Sequence, residues 1–233
     1  MSIPVRRLET AQEIYYPVSD GKPMGESDRH IDQMIYCKEA LRFSFEDRPD
    51  VYIASNNFLY WEEGNPKAVV SPDVYVVFGV SREQRDCYMA WKEGGKLPSV
   101  VIEVTSRSTR GEDTGKKMRL YEQTLRVPEY FRFDPRGDYL RPRLQGSELV
   151  NGEYVLMPML VDRLHSKMLG LDLVVDGDTM RFYDPKREQW LFTPLENARR
   201  AEENALRAEA AEAQIARLQA EIEALRRQRE PGR

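Results

Sequence analysis

Two apolar runs, "AVVSPDVYVVFGV" and "LPSVVIEVTS", constrain this chain more than any other feature in it. Their length and their Val, Ile and Tyr content are those of interior strands, so the chain must build a sheet that brings the two runs near each other. Each run also carries a carboxylate that burial alone does not explain. Asp73 stands directly after a proline at the mouth of the first, and Glu103 interrupts apolar residues on both sides in the second. A buried carboxylate without a partner is costly or takes up a proton. Glu103 therefore requires a basic residue, backbone donors or a divalent metal. Two carboxylates and a strand carbonyl make a half-shell of hard oxygen ligands, which suits Mg²⁺ with water and phosphate filling the rest. Such an ion generates a nucleophilic water and stabilises charge on a phosphodiester.

The elements around these strands follow from pattern. Residues 1–25 hold Pro4, Pro17, Gly21, Pro23 and Gly25 with no sustained period, and read as an irregular arm. "GESDRHIDQMIYCKEALRFSFE" reads as a helix capped by Ser27, with Ile31, Met34, Ile35, Leu41 and Phe45 at helical spacing. "DVYIASNNFLYW" predicts a strand, an Asn-rich bend and a second strand. "SREQRDCYMAWKEGGK" is a short helical turn or a loop, and "DTGKKMRLYEQTL" predicts a helix of about three turns with Met118, Tyr121 and Leu125 on one side. "PEYFRFDP" is a strand ended by Asp134-Pro135, and 136–193 reads as hairpins turning at DGD and DPKREQ. The main domain is thus 26–193.

From Pro194 to the end (194–233) the chain turns rich in Ala, Glu, Arg and Leu, and Leu225, Ile222, Leu218, Ile215, Ala211, Ala208, Asn204 and Ala201 form an a/d seam. A continuous helix is expected there, pairing two copies mainly through its last turns. From Leu195 on there are eight Arg and eight Glu, so the net charge of −4 sits on the body.

Composition removes several classes. Only two cysteines, Cys37 and Cys87, and two histidines, His30 and His165, occur in 233 residues, with no C-x-x-C pair, which argues against a disulfide framework, a zinc site and a Ser-His-Asp triad. No segment approaches the roughly 18–20 apolar residues of a membrane span, so a cytoplasmic protein without a membrane partner is expected. A charge of −4 argues against a surface that traps nucleic acid all over, but Arg107, Arg110, Arg119, Arg126 and Arg132 accumulate around the second carboxylate.

Taken in order, "PDVYVV" and, after 30 positions, "VIEVTSRSTRGEDTGKKMRLYEQTLRVPEYFRFDP" resemble the Uma-two family of restriction-endonuclease-like proteins, a branch of the PD-(D/E)XK nuclease superfamily. The resemblance covers roughly residues 24–175. It implies an α/β fold, a restriction-endonuclease-like mixed sheet flanked by helices, here followed by a C-terminal coiled-coil helix. It further implies a Mg²⁺-dependent endonuclease acting on DNA, with Mn²⁺ able to substitute. Asp73 matches the motif aspartate and Glu103 the motif acid, and the carbonyl of Val104 supplies a third metal ligand. Thr105 stands where many nucleases place a lysine, and Lys117 on the following helix matches the lysine of this branch, with Lys116 its rival one position away. Asp113 matches the acid before that helix, and Glu26 matches the acidic helix residue that completes some metal sites. Ser106, Ser108 and Thr109 suit phosphate contacts. The alternative, supported by Thr105, is a catalytically inactive nucleic-acid- or protein-binding module assembled through its coiled coil.

Overall fold

Ser27 opens the first helix, accepting the His30 N–H on its hydroxyl at 3.4 Å, and α1 then runs Asp28–Ser44. The structure is a computed structural model that describes residues 14–19, 21, 27–105 and 115–229. Ile31 and Ile35, expected on the core face of α1, are exposed; His30, Gln33, Met34, Tyr36, Cys37, Ala40 and Leu41 are the buried residues. The reason is polar. The Gln33 amide accepts the Met180 N–H at 3.0 Å and donates to the Met180 carbonyl at 2.8 Å, and the Tyr36 hydroxyl accepts the Phe182 N–H at 2.8 Å and donates to the Leu191 carbonyl at 3.1 Å. Polar side chains that complete a neighbour's backbone hydrogen bonds belong inside.

The strands are β1 (Val51–Ala54), β2 (Leu59–Tyr60), β3 (Val69–Val70), β4 (Val74–Phe78), β5 (Tyr88–Met89), β6 (Val100–Val104), β7 (Glu129–Phe133), β8 (Leu144–Val150), β9 (Glu153–Leu156), β10 (Arg163–Ser166), β11 (Leu171–Asp176), β12 (Thr179–Asp184) and β13 (Gln189–Trp190). Six form a mixed sheet in the order β1-β4-β6-β7-β8-β9, in which β6 and β7 are parallel and the other pairs antiparallel. The first apolar run is split: Ser71 and Pro72 break it, so β3 joins a small sheet β3-β2-β5 while β4 enters the large one. The run after it contains both β5 and a 3₁₀ turn, Ala90–Glu93. The DGD and DPKREQ turns close the meander β10-β11-β12-β13 as expected.

Strand alternation sorts the core into two layers. Val74, Val76, Val100, Ile102, Val104, Phe131 and Phe133 pack with α1 and with Leu164, Leu171, Leu173 and Phe182 of the meander. Tyr75, Val77, Val101 and Tyr130 lie on the opposite face, with Leu59 and Tyr88 of the small sheet and with Tyr121 and Leu125. Glu103, next to Val101 in alternation, faces this second layer.

The helix expected before β7 is irregular. Its described part contains α2 (Lys117–Arg119), which passes into a π-turn, Leu120–Thr124, whose closing bond runs from the Leu125 N–H to the Leu120 carbonyl at 2.9 Å. Two conspicuous acids nearby are structural. Glu129 is buried, and its carboxylate accepts the N–H groups of Lys167 (2.8 Å) and Met168 (3.2 Å) and the hydroxyl of Ser166, tying β7 to the end of β10. Asp134 is buried likewise and caps four backbone N–H groups, those of Arg136, Gly137, Tyr139 and Leu140, between 2.9 and 3.1 Å.

The chain divides into two units, Met1–Leu191 and Phe192–Arg233. In the second, α3 spans Pro194–Arg229 and begins with a reciprocal cap: the Thr193 hydroxyl accepts the Glu196 N–H at 3.1 Å, and the Glu196 carboxylate accepts the Thr193 N–H at 2.7 Å. Ile215, Leu218, Ile222 and Leu225 are about half exposed along it.

Candidate active site

The polar row of the large sheet is set by register. The antiparallel pairing of β4 with β6 ends at Val74 opposite Ile102, and Asp73 and Glu103 are the next residues along the two segments. Parallel pairing places Glu103 beside Arg132, and antiparallel pairing places Arg132 beside Gln145. Two carboxylates, a guanidinium and an amide thus cross four strands in one line. Behind it the same rule gives Tyr75, Val101, Tyr130 and Ser147, so the row marks where the apolar floor ends.

Asp73 lies just beyond the N-terminal end of β4, and Pro72 brings no N–H to extend the ladder. Its carboxylate replaces the missing strand: Oδ2 accepts the Val104 N–H at 2.8 Å and lies 3.3 Å from His30 Nε2 on α1. Glu103 is wholly buried, yet both its oxygens are engaged. Oε2 accepts Lys117 Nζ at 2.9 Å and Oε1 accepts the Tyr121 hydroxyl at 2.6 Å. The one-turn spacing of Lys117 and Tyr121 brings both to one carboxylate. Burial first, and the charge of Glu103 second, push the Tyr121 hydroxyl well above its ordinary pKa, so it stays a donor. The ring of Tyr121 packs on Tyr130 with centroids 5.1 Å apart. With its side chain 19% exposed against 0% for Glu103, Lys117 stands between the buried acid and solvent.

Lys116 is exposed, so the choice between the two lysines is made by which of them touches Glu103. Thr105 is buried and its hydroxyl donates to the Phe133 carbonyl at 3.2 Å, finishing the β6–β7 ladder. Arg132 is buried, donates to Gln145 Oε1 at 3.0 Å and lies over the Tyr130 ring at 5.7 Å. Arg119 is exposed, and Arg126 lies against Gly152 of the β8–β9 turn. Glu26, Asp113, Arg107, Arg110, Ser106, Ser108 and Thr109 lie outside the described residues. Sequence reasoning passed over His30 as isolated; it took Tyr121 as an apolar face residue and as the position, four on from Lys117, that favours that lysine, but not as a member of the site. The signal for His30 was its place in the first turn of a capped helix; that for Tyr121 was its spacing from Lys117. Cys37, buried on α1, has its thiol pushed up to about 12 by burial, which disfavours the thiolate.

The chain is of the α/β class, its body a mixed sheet with Asp73 and Glu103 at the ends of neighbouring strands and Lys117 on the helix that follows. More particularly, it belongs to the Uma2 family, described as "Putative restriction endonuclease", whose sequence model matches residues 7–176. Among solved structures, a putative nuclease belonging to DUF820 from Anabaena variabilis is similar at 11% identity, with a TM-score of 0.45 over 64% of this chain and 76% of that one. No curated protein matches the chain. Among the described residues no helix is long and apolar enough to cross a membrane.

Proposed function

We propose that the protein is a metal-dependent endonuclease that hydrolyses DNA phosphodiester bonds with water as nucleophile and no covalent intermediate. The observation that carries this reading is the Lys117 ammonium, 2.9 Å from a fully buried Glu103, next to the Val104 N–H that the Asp73 carboxylate accepts. Asp73, Glu103 and the Val104 carbonyl are hard oxygen donors and fit Mg²⁺, or Mn²⁺ in its place, because such an ion takes one or two carboxylates and keeps several waters. In extended backbone the N–H and C=O of a residue point toward the same neighbouring strand, so the Val104 carbonyl faces the side on which Asp73 caps its N–H. No group of three His, Cys, Asp or Glu side chains suited to a metal occurs among the described residues, so that set contains two carboxylates; Glu26 is a candidate to add to it. The ion, when bound, supplies an activated water and offsets charge on the phosphate.

The remaining work falls to the chain. The Val104 N–H and His30 fix the Asp73 carboxylate, and the Tyr121 hydroxyl prevents Glu103 from turning. Lys117 holds Glu103 at 2.9 Å, and its ammonium is the chain's own group to orient the attacking water or to neutralise the phosphate. The exposed apolar stripe of α3 supports the further proposal that two chains pair as a homodimer and bring two sites to opposite DNA strands. Action on DNA in the cytoplasm also agrees with free Cys37 and Cys87.

The test is relaxation of supercoiled plasmid by the purified protein with Mg²⁺ or Mn²⁺ against a chelator. The parent should nick only with metal, and Asp73→Asn and Glu103→Gln should each lose about 100-fold or more in rate. A parent that neither cuts duplex, single-stranded or branched DNA nor binds Mn²⁺ by calorimetry would favour the inactive binding module instead.

A further inference from the structure

We propose a second phosphate-binding site, away from the carboxylates, in the cleft between α1 and the edge strand β1. The cavity there is about 160 Å³, and its lining includes Lys38, Arg42 and Arg85 with Ser55, Asn57 and Gln84, and no carboxylate. Lys38 and Arg42 are one turn apart on α1, an arrangement of like charges that weakens a helix when nothing offsets it. Arg42 has a long contact to Glu39 at 3.4 Å on the exposed side. The Lys38 ammonium is lowered below its usual range by burial and then by Arg42, as expected where cations gather. Arg85 is held in place: its guanidinium lies 4.5 Å from the Tyr52 ring centroid, bonds Glu93 at 2.8 Å and donates to the Ser81 and Glu83 carbonyls. A neighbouring cavity of about 220 Å³ shares Arg42, Ile53 and Gln84 and adds Arg82, and with it the acidic Glu46, so the carboxylate-free lining is confined to the first cavity.

The chemistry fits a phosphate group. The space is smaller than the roughly 300–1,000 Å³ that encloses an organic ligand, while hydroxyl, amide and cationic donors match phosphate oxygens. Position suggests the source. Lys38 and Arg42 follow His30, which touches Asp73, by about 12 and 18 Å along the helix axis at 1.5 Å per residue. Phosphates of one DNA strand recur about every 3.4 Å of axis, so the cleft meets a backbone phosphate some three to five steps from the carboxylates. Only this choice of source rests on the nuclease reading.

The experiment measures binding of a labelled DNA duplex by the full chain in metal-free buffer across a salt series, for the parent, the double variant Lys38→Gln/Arg42→Gln, and the double variant Lys38→Arg/Arg42→Lys. Pyrophosphate titration is run beside it. Loss of about 10-fold or more in duplex affinity, a salt slope lower by about one per removed phosphate contact and recovery in the charge-keeping variant support the site. They do so even if the parent never cuts DNA, an outcome that would sink the nuclease reading alone. Saturable pyrophosphate binding that only the Gln variant loses, without duplex binding, supports a site for free phosphate. Equal duplex and pyrophosphate binding by parent and Gln variant, or none of either by the parent, overturns the proposal.

Discussion

Glu129 shows how a buried acid can serve the fold alone. Its carboxyl is raised above 4.5 chiefly by burial, against the lowering effect of Ser166 and two backbone N–H groups. A raised folded pKa means the folded protein holds the proton more tightly than the unfolded chain does. The stability this contributes is complete below the ordinary carboxylate range and is lost as pH rises through the raised value. Glu129→Gln keeps an acceptor for both N–H groups and should flatten that dependence in urea titrations at several pH values. Glu129→Ala takes the acceptor from the buried Ser166 hydroxyl and from two partly buried N–H groups and should cost about 2 kcal/mol. Glu103 differs from Glu129 in its partners: a side-chain cation that reaches solvent can be exchanged, whereas backbone donors cannot. Tyr121 and Lys117, both legible by position, acquire meaning only through that carboxylate.

Among the elements, α1 is where pattern reading and structure part. Spacing placed Ile31 and Ile35 inward, on the rule that apolar residues seek the core. The helix is instead turned so that His30, Gln33 and Tyr36 reach Asp73, Met180 and Phe182. These partners lie far away in sequence, and no local window contains them. The same limit hid the polar row: Asp73 and Glu103 were legible because carboxylates stand out in apolar runs, but Arg132 joined them only through the pairing of β6 with β7. Lys117 was legible from the ordered motif, and its π-turn was not. Tyr36→Phe should expose the turn of α1 as a cost, since it leaves the buried Phe182 N–H without its acceptor and the Leu191 carbonyl with Arg181 alone. A loss of about 2 kcal/mol in the denaturant midpoint analysis is expected, against under 0.5 kcal/mol for Ile35→Gln on the exposed side.

At the scale of the whole molecule, the body holds the carboxylate row and α3 presents an apolar stripe. A helix of 36 residues is about 54 Å long, and Ile215, Leu218, Ile222 and Leu225, each about half exposed, lie at the spacing of a coiled-coil seam. Sedimentation of the full chain should give a dimer, and Leu218→Lys with Ile222→Lys should give a monomer that still cuts DNA with metal but makes double-strand breaks less often relative to nicks. The central claim, that Lys117 and the two carboxylates form a working metal-dependent centre, is tested most directly by single-turnover cleavage of a labelled duplex in Mg²⁺. Lys117→Met and Lys116→Met are compared at equal folded fraction, since the two lysines are neighbours and only one touches Glu103. The account predicts a loss of about 100-fold or more for Lys117→Met and less than about threefold for Lys116→Met. Equal rates for the two variants would contradict it.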